Sequence, residues 1–216
     1  MNRSLRPPTP SFSAALLCLL VFVAACAPAP TFRDSGPLDV SHDPEQRDIE
    51  DPQPFSLDRG GYSFRLFPLA SYVLRGVLLS RKSYGGNIAS ALSPCDVAVA
   101  WGEMARNDLY GPVGWSQTGR WYWWQFGPGF AHDNAFVARY TSNTHVIPAS
   151  GFLARAIRSV RRGDLVELKG DLVRIEGRGS ISSFRWVTSL SRSDREAGSC
   201  EILYLRWLRV GDKVYR

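Results

Sequence analysis

The sequence lacks the short signatures of several large enzyme classes. It has only three histidines, which leaves little room for a histidine-rich metal site. The turn Gly127-Pro128-Gly129 lacks the lysine and the hydroxyl residue that a phosphate-binding P-loop requires. No G-x-S-x-G phrase of the serine hydrolases is present. We therefore predict neither a metal site nor a cofactor.

Long hydrophobic runs are also missing. The apolar run at residues 12–25 has about fourteen residues, whereas a membrane-spanning helix needs about twenty. A mean hydropathy of -0.16 excludes a polytopic membrane protein. Hydrophobic residues make up 44% and charged residues 21%, so the chain is neither a disordered tail nor a coiled coil. Its 216 residues correspond to one ordinary domain or two small ones.

The N-terminal residues have the pattern of a secretory signal peptide. Arg3 and Arg6 precede the apolar run, and no acidic residue occurs before Asp34. A basic region followed by a short apolar region is typical of export signals. A permanent transmembrane helix is the alternative, for which the run is short.

The apolar run ends in Val23-Ala24-Ala25-Cys26, which resembles the lipobox of bacterial lipoproteins. In that family a diacylglycerol is attached to the cysteine, and a signal peptidase cuts before it. The resemblance implies that residues 1–25 are removed and that Cys26 carries lipid such as palmitate, which anchors the chain stably. In that family an aspartate after the cysteine commonly retains the protein in the inner membrane, so with Ala27 at this position the resemblance implies the outer membrane. The alternative is a plain signal peptide cut at Ala25-Cys26-Ala27.

Residues 26–60 are rich in proline and acidic side chains, and they predict a tether. Such a segment has too little apolar surface to offset its conformational entropy, so we expect it to be semi-extended. Residues 27–58 contain eight acidic and two basic residues, whereas residues 59–216 contain 22 basic and 12 acidic ones. The two signs of charge thus lie on separate segments. The acidic run could instead be a recognition site.

In residues 61–216, apolar and polar side chains alternate in the way that is typical of β-strands. Tyr62, Phe64 and Leu66 alternate with polar residues, which indicates a strand with one buried face. Other predicted strands cover 69–79, 97–101, 121–126, 136–142, 165–173, 184–186 and 202–208. Gly170 interrupts an apolar face and predicts a bend or bulge.

One amphipathic helix is predicted near residues 151–161, with Ser150 as its N-cap. At 100° per residue its apolar side chains fall within about 140° of arc, namely Phe152, Leu153, Ala156, Ile157 and Val160. The opposite side carries Arg155, Arg158, Arg161 and Arg162, a basic cluster that either binds a ligand or forms the solvated face of the helix.

The predicted order of elements, in which several strands are followed by one helix and then by more strands, resembles that of the OB-type barrel. The phrase Gly163-Asp164-x-Val166-x-Leu168-x-Gly170 is similar to a strand opening seen in many such barrels. We therefore predict a mainly β fold, a small closed or partly open antiparallel barrel with insertions near residues 104–134. A β-sandwich or another α+β fold is the alternative.

Cys95 and Cys200 are the cysteines of the predicted domain. An exported protein favours a disulfide between them, which would close a loop of about a hundred residues and contribute about 4–5 kcal/mol. The alternative is a free catalytic thiol. Each cysteine is followed by an acidic residue and neither lies in an obviously electropositive stretch, which argues against a reactive thiol.

Candidate binding residues fall into two groups. Asn143 and His145 precede the predicted helix, where they either bind an anion or position a base, or else satisfy turn backbone groups. The second group is an aromatic cluster whose exposed members could stack on sugar rings or bases, with a strand covered on both faces as the alternative. It comprises Trp115, Arg120, Trp121, Trp123 and Trp124. Alternation sends Trp121 and Trp123 to one side of the strand, and Tyr122 and Trp124 to the other.

These observations predict a lipid-anchored protein on the periplasmic or outer face of the bacterial envelope. Its β-rich domain is expected to be a binding module rather than an enzyme. The expected partners are the membrane, through the lipid, and an envelope protein, a glycan or an anionic ligand; nucleic acid is disfavoured. One alternative is an envelope hydrolase that uses His145 with the polar loop of Ser189, Ser191, Ser193 and Asp194. Another is an OB-like domain that binds nucleic acid or another polyanion.

Overall fold

The computed structural model describes residues 27–178, 183–191 and 200–216. The predicted signal peptide, Cys26, Ser193 and Asp194 lie outside these ranges. The strands are β1 (Phe32–Arg33), β2 (Glu45–Asp48), β3 (Phe55–Arg59), β4 (Tyr62–Ser83), β5 (Cys95–Ala100), β6 (Gly114–Thr118), β7 (Trp121–Gln125), β8 (Thr141–Pro148), β9 (Leu165–Arg178), β10 (Ser183–Val187), β11 (Glu201–Val210) and β12 (Lys213–Tyr215).

The helices are short and lie between strands. They are α1 (Ile88–Leu92), α2 (Asn107–Tyr110), α3 (Asn134–Arg139) and α4 (Gly151–Ser159), with a 3-10 helix at Gly102–Ala105. Within the described ranges, no helix combines the length and the apolar character needed to cross a bilayer.

Five strands close into a ring in the order β4, β5, β8, β11, β9 and back to β4. All neighbours are antiparallel except β8 and β11, which run parallel. Numbered along the chain, the ring order is first, second, third, fifth, fourth, and α4 lies between the third and fourth strands. The fold is thus mainly β, with an OB-like, partly open ring and one amphipathic helix, as predicted. The main insertion separates the second strand from the third.

Alternate residues of the ring strands fill its interior, and α4 covers one end. Tyr72, Val97 and Leu203 belong to this core, together with Leu153 and Ile157 of α4. The helix begins as predicted, because the Ser150 hydroxyl accepts a hydrogen bond from the Leu153 amide at 3.1 Å.

Gly170 lies where β9 crosses β11 at close range. A Cβ at this position would be 1.9 Å from the Tyr204 carbonyl oxygen. The register between the strands shifts from Leu205 to Trp207, so the extra residue is on β11. The irregularity predicted at Gly170 is therefore present, and only glycine allows the two backbones to approach so closely.

The segment predicted as a free tether instead lies against the ring. We call residues 31–59 the strap, because β1 pairs with β12 while β2 and β3 both pair with β4. Its acidic side chains contact basic residues of the ring, as in the pair of Asp34 with Arg209, 2.9 Å apart. The tether was predicted from the small number of apolar residues in this segment. The strap is instead held by main-chain hydrogen bonds to strands and by ion pairs, which do not depend on apolar residues.

One predicted strand was wrong and the others were found. Residues 136–142 were expected to be extended, but α3 covers Asn134–Arg139 and β8 begins only at Thr141. The cause is a helix start that alternation does not reveal, since the Asp133 carboxylate accepts a hydrogen bond from the Phe136 amide at 2.9 Å.

Candidate functional site

The insertion after β5 places a hairpin over the outer face of the ring. Strands β6 and β7 pair with each other and are joined by the two-residue turn Gly119-Arg120. Both turn residues have positive φ, 57° and 71°, as in the mirror-image turns that hairpins favour. Arg120 is the one non-glycine residue of the described ranges in this strained region. Such strain persists only where surrounding contacts hold the residue in place.

The Arg120 guanidinium is held by groups of the ring and of the loop after β4. Its Nη1 lies 2.7 Å from Asp96 Oδ1, and its Nη2 donates to the Ser93 carbonyl at 2.9 Å and the Ser90 hydroxyl at 3.1 Å. It also lies 4.1 Å from the centre of the Tyr84 ring. These contacts fix the tip of the hairpin against the ring.

Asp96 is fully buried and joins Arg120 to His145. The register of β5 and β8 pairs Asp96 with His145 directly. The second carboxylate oxygen, Oδ2, lies 3.0 Å from His145 Nδ1. A buried carboxylate is costly unless it is paired, and here the Arg120 guanidinium pairs with Oδ1. His145 Nδ1 approaches Oδ2 without the geometry of a hydrogen bond, so the imidazole is a close neighbour of the carboxylate.

Asn143 links the hairpin, the ring and Cys200. Its Nδ2 donates to the Arg120 carbonyl at 2.9 Å and lies 3.6 Å from Cys200 Sγ. Its Oδ1 accepts from Gln117 Nε2 at 2.7 Å. Asn143 therefore positions both the hairpin and the thiol, which is a structural role for a residue predicted as a ligand-binding candidate.

A cavity of about 320 Å³ opens between the hairpin, β10 and the outer face of β8. Its size is that of a small-molecule site. Eight residues line the cavity, namely Ala89, Arg120, Trp121, His145, Phe184, Arg185, Trp186 and Cys200.

The tryptophan cluster divides between the cavity and a small second core. Trp121 lines the cavity and Trp123 is 55% exposed, whereas Tyr122 and Trp124 pack inward beneath the hairpin. The alternation predicted for these four rings is confirmed. Trp115 packs against Trp124 with ring centres 6.3 Å apart, so the cluster does not form one continuous platform.

Three cavity residues on β10 were missed as candidates, namely Phe184, Arg185 and Trp186. The alternation of Phe184 and Trp186 predicted a strand, but nothing in the local sequence pointed to a ligand site. In the structure, the Trp186 ring lies 4.7 Å from the His145 ring. By contrast, the predicted candidates Arg155 and Arg158 lie on α4 and do not line the cavity.

The predicted disulfide between Cys95 and Cys200 is absent from the described structure. Cys95 points into the ring core beside Val97, whereas the Cys200 sulfur lies beside Asn143 on the outer side. A bridge would have to pass through the sheet. Burial raises the pKa of the Cys95 thiol to about 12, so this thiol is a core residue without nucleophilic character.

Across the described residues, no group of three or more histidine, cysteine, aspartate or glutamate side chains could hold a metal ion. No protein-family model, curated protein or solved structure matches this chain. The geometry of the cavity is thus the basis for the proposals that follow.

Proposed function

We propose that the domain is a binding module for a small ligand that carries a ring and a negative charge. The observation that carries this proposal is the composition of the cavity wall, where three aromatic side chains and two arginines surround one opening. Aromatic faces pack on planar or sugar rings, and a few placed polar groups give orientation. A sugar acid of the cell envelope has both features.

The charge of the cavity comes mainly from Arg185. Arg120 is paired with the Asp96 carboxylate, so its charge is already compensated. Arg185 is exposed on β10 and lines the same cavity as Trp121 and Phe184. An arginine beside aromatic rings favours a ligand with a carboxylate or phosphate next to its ring.

A pair of sugars tests this proposal. The full-length chain in detergent is titrated in a calorimeter with N-acetylmuramic acid and with N-acetylglucosamine, which has the same ring without the carboxylate. We expect the acid to bind and the neutral sugar to bind about tenfold more weakly or not at all. Equal binding of both, or tighter binding of a short oligonucleotide than of the acid, would contradict the proposal.

Two tryptophans of the same strand provide matched variants. Trp121→Ala removes a ring from the cavity wall, whereas Trp123→Ala removes an exposed ring outside it. We expect Trp121→Ala to weaken binding of N-acetylmuramic acid about tenfold and Trp123→Ala to leave it unchanged. Equal losses in both variants would place the ligand elsewhere.

We further propose that the chain is a lipoprotein of the bacterial envelope, anchored through Cys26. This proposal rests on the resemblance of residues 23–26 to a lipobox. Replacing Cys26 with alanine and labelling cells with palmitate tests it. The label should disappear from the variant, and its retention would refute the anchor. Fractionation of labelled cells then tests the expected outer-membrane location.

A further inference from the structure

We propose that the same cavity carries a thiol acyl-transfer site, with Cys200 as nucleophile, His145 as base and Asp96 as the residue that positions the base. The inference deepens the proposed function, because it rests on the ligand cavity and names a chemical step within it. Its substrate class is an ester or thioester that carries a ring beside the reacting carbonyl group.

The imidazole of His145 is placed as a base that acts through its second nitrogen. His145 is 4% exposed, and its Nδ1 lies 3.0 Å from the fully buried Asp96 carboxylate. The two atoms do not have hydrogen-bond geometry, but a carboxylate this close to Nδ1 stabilises the imidazolium that forms after proton uptake. Since His145 also lines the cavity, Nε2 is the nitrogen that meets a reacting group.

The strand register brings Cys200 to the same face as His145. Strands β8 and β11 run parallel with Glu201 opposite Thr144 and Ile202 opposite His145. Continuing that register places Cys200 beside Asn143, and the 3.6 Å contact between their side chains agrees with it. Asn143 and His145 are two residues apart on one face of the strand, so Cys200 and His145 are diagonal neighbours. Both side chains line the same cavity.

The charges around the cavity favour a thiolate there. Arg185 lines it, and positive charge stabilises the ionised sulfur that attacks. The sequence shows Cys200 only beside the acidic Glu201, whereas in the fold it lines the same cavity as Arg185 and Trp186. Cys95 lies in the opposite setting, in the apolar core of the ring.

The step balances without an oxidant or a metal. The Cys200 sulfur forms a bond to the carbonyl carbon of the substrate while its proton passes to His145 Nε2. The bond from that carbon to the leaving oxygen or sulfur then breaks, and His145 returns the proton to the leaving group. Water, activated by His145, attacks the resulting acyl-thioester, releases a carboxylic acid and restores the thiol.

The test uses p-nitrophenyl acetate, an activated ester with an aromatic ring, and the full-length chain in detergent. We expect a burst of p-nitrophenolate and one acetyl group on the peptide that contains Cys200. His145→Gln should slow acetylation roughly 100-fold, because a general base is lost. Asp96→Asn should lower the maximal acetylation rate with little change in the ester concentration that gives half of it. Cys95→Ser is the matched control and should react like the wild type.

The outcomes separate this inference from the ligand proposal. Acetylation that is equally fast in Cys200→Ala, or that is unaffected by His145→Gln, overturns the inference. A wild-type chain that binds N-acetylmuramic acid but gains no acetyl group overturns the acyl-transfer step and leaves the binding module standing. A chain that is acetylated at Cys200 but binds no sugar acid supports the thiol site and refutes the proposed ligand class.

Discussion

The guanidinium of Arg120 and the carboxylate of Asp96 lie 2.7 Å apart, although 24 residues separate them in the chain. This pair ties the tip of the inserted hairpin to the second strand of the ring. Because Asp96 is fully buried, the pair is a structural requirement of the cavity that Arg120 lines.

Removing the arginine should destabilise the domain strongly. Arg120→Ala leaves the buried Asp96 carboxylate without its guanidinium partner, and such losses cost about 3 kcal/mol or more. Chemical denaturation of the variant measures the change. Arg106→Ala is the control, because Arg106 pairs with Asp108 at the surface and its loss should leave the free energy of unfolding nearly unchanged.

The same pair predicts a rescue. Asp96→Asn combined with Arg120→Met removes both charges, so the double variant should be more stable than Arg120→Ala despite carrying more changes. Denaturation curves for the single and double variants decide this. A double variant that is less stable than either single variant would show that the charges do not act as a pair.

Gly170 should tolerate no side chain. Gly170→Ala places a Cβ against the Tyr204 carbonyl oxygen, which forces the two backbones apart and should cost about 3 kcal/mol. Gly85→Ala is the matched control, because nothing lies within 4 Å of a Cβ there. Thermal unfolding compares the two, and similar midpoints for both variants would contradict the close crossing of β9 and β11.

Cys95 should resist alkylation in the folded protein. Burial raises its pKa from an ordinary 9.0 to about 12, so the thiolate is scarce even at about pH 9, and reagents also lack access. Iodoacetamide followed by peptide mass spectrometry should detect modified Cys95 only after unfolding. Labelling of Cys95 in the native protein that rises between about pH 7 and pH 9 would contradict its burial.

The strap should loosen in acid. A hydrogen bond from Arg75, together with its positive charge, lowers the pKa of Glu45 below its ordinary value of 4.5. The unfolded chain therefore binds more protons between the two pKa values, so this pair stabilises the fold above about pH 4.5 and the contribution is lost as pH falls through the folded-state pKa.

Glu45→Gln tests that dependence. The variant should unfold at a lower temperature than the wild type at about pH 6, and the difference should shrink as the pH approaches 3. Melting curves across this range measure it. A difference that is constant with pH would mean that the Glu45 charge plays no part in holding β2.

Patterns within single elements were predictable. The 3.6-residue period identified α4, and Ser150 marked its start because a hydroxyl caps the first turn. The period of two predicted that Trp121 and Trp123 lie on one face of β7. On that face, Trp121 lines the cavity and Trp123 is exposed to solvent. In each case the sequence pattern that allowed the prediction lies within about ten consecutive residues.

Three residues of the cavity wall, Arg120, Trp121 and His145, are candidates from the sequence, but their meeting was not predictable because they come from distant segments. In the sequence, Asp96 is only the acidic residue that follows Cys95. The meeting of Asp96 and Arg120 with His145 depends on the pairing of β5 with β8 and on the turn that directs Arg120 inward. The strap was missed for a similar reason, since its partners on β4 and β12 are chosen by backbone pairing, which composition does not record.

The course of the strap sets how far the domain can stand from a membrane. The Thr31 amide already donates a hydrogen bond to the Val214 carbonyl on β12, so only residues 27–30 are left between that point and the proposed anchor at Cys26. Fully extended, this span reaches about 15–20 Å. An anchored molecule would then be held close to the lipid headgroups, within reach of ligands at the bilayer surface rather than of those deep in the periplasm.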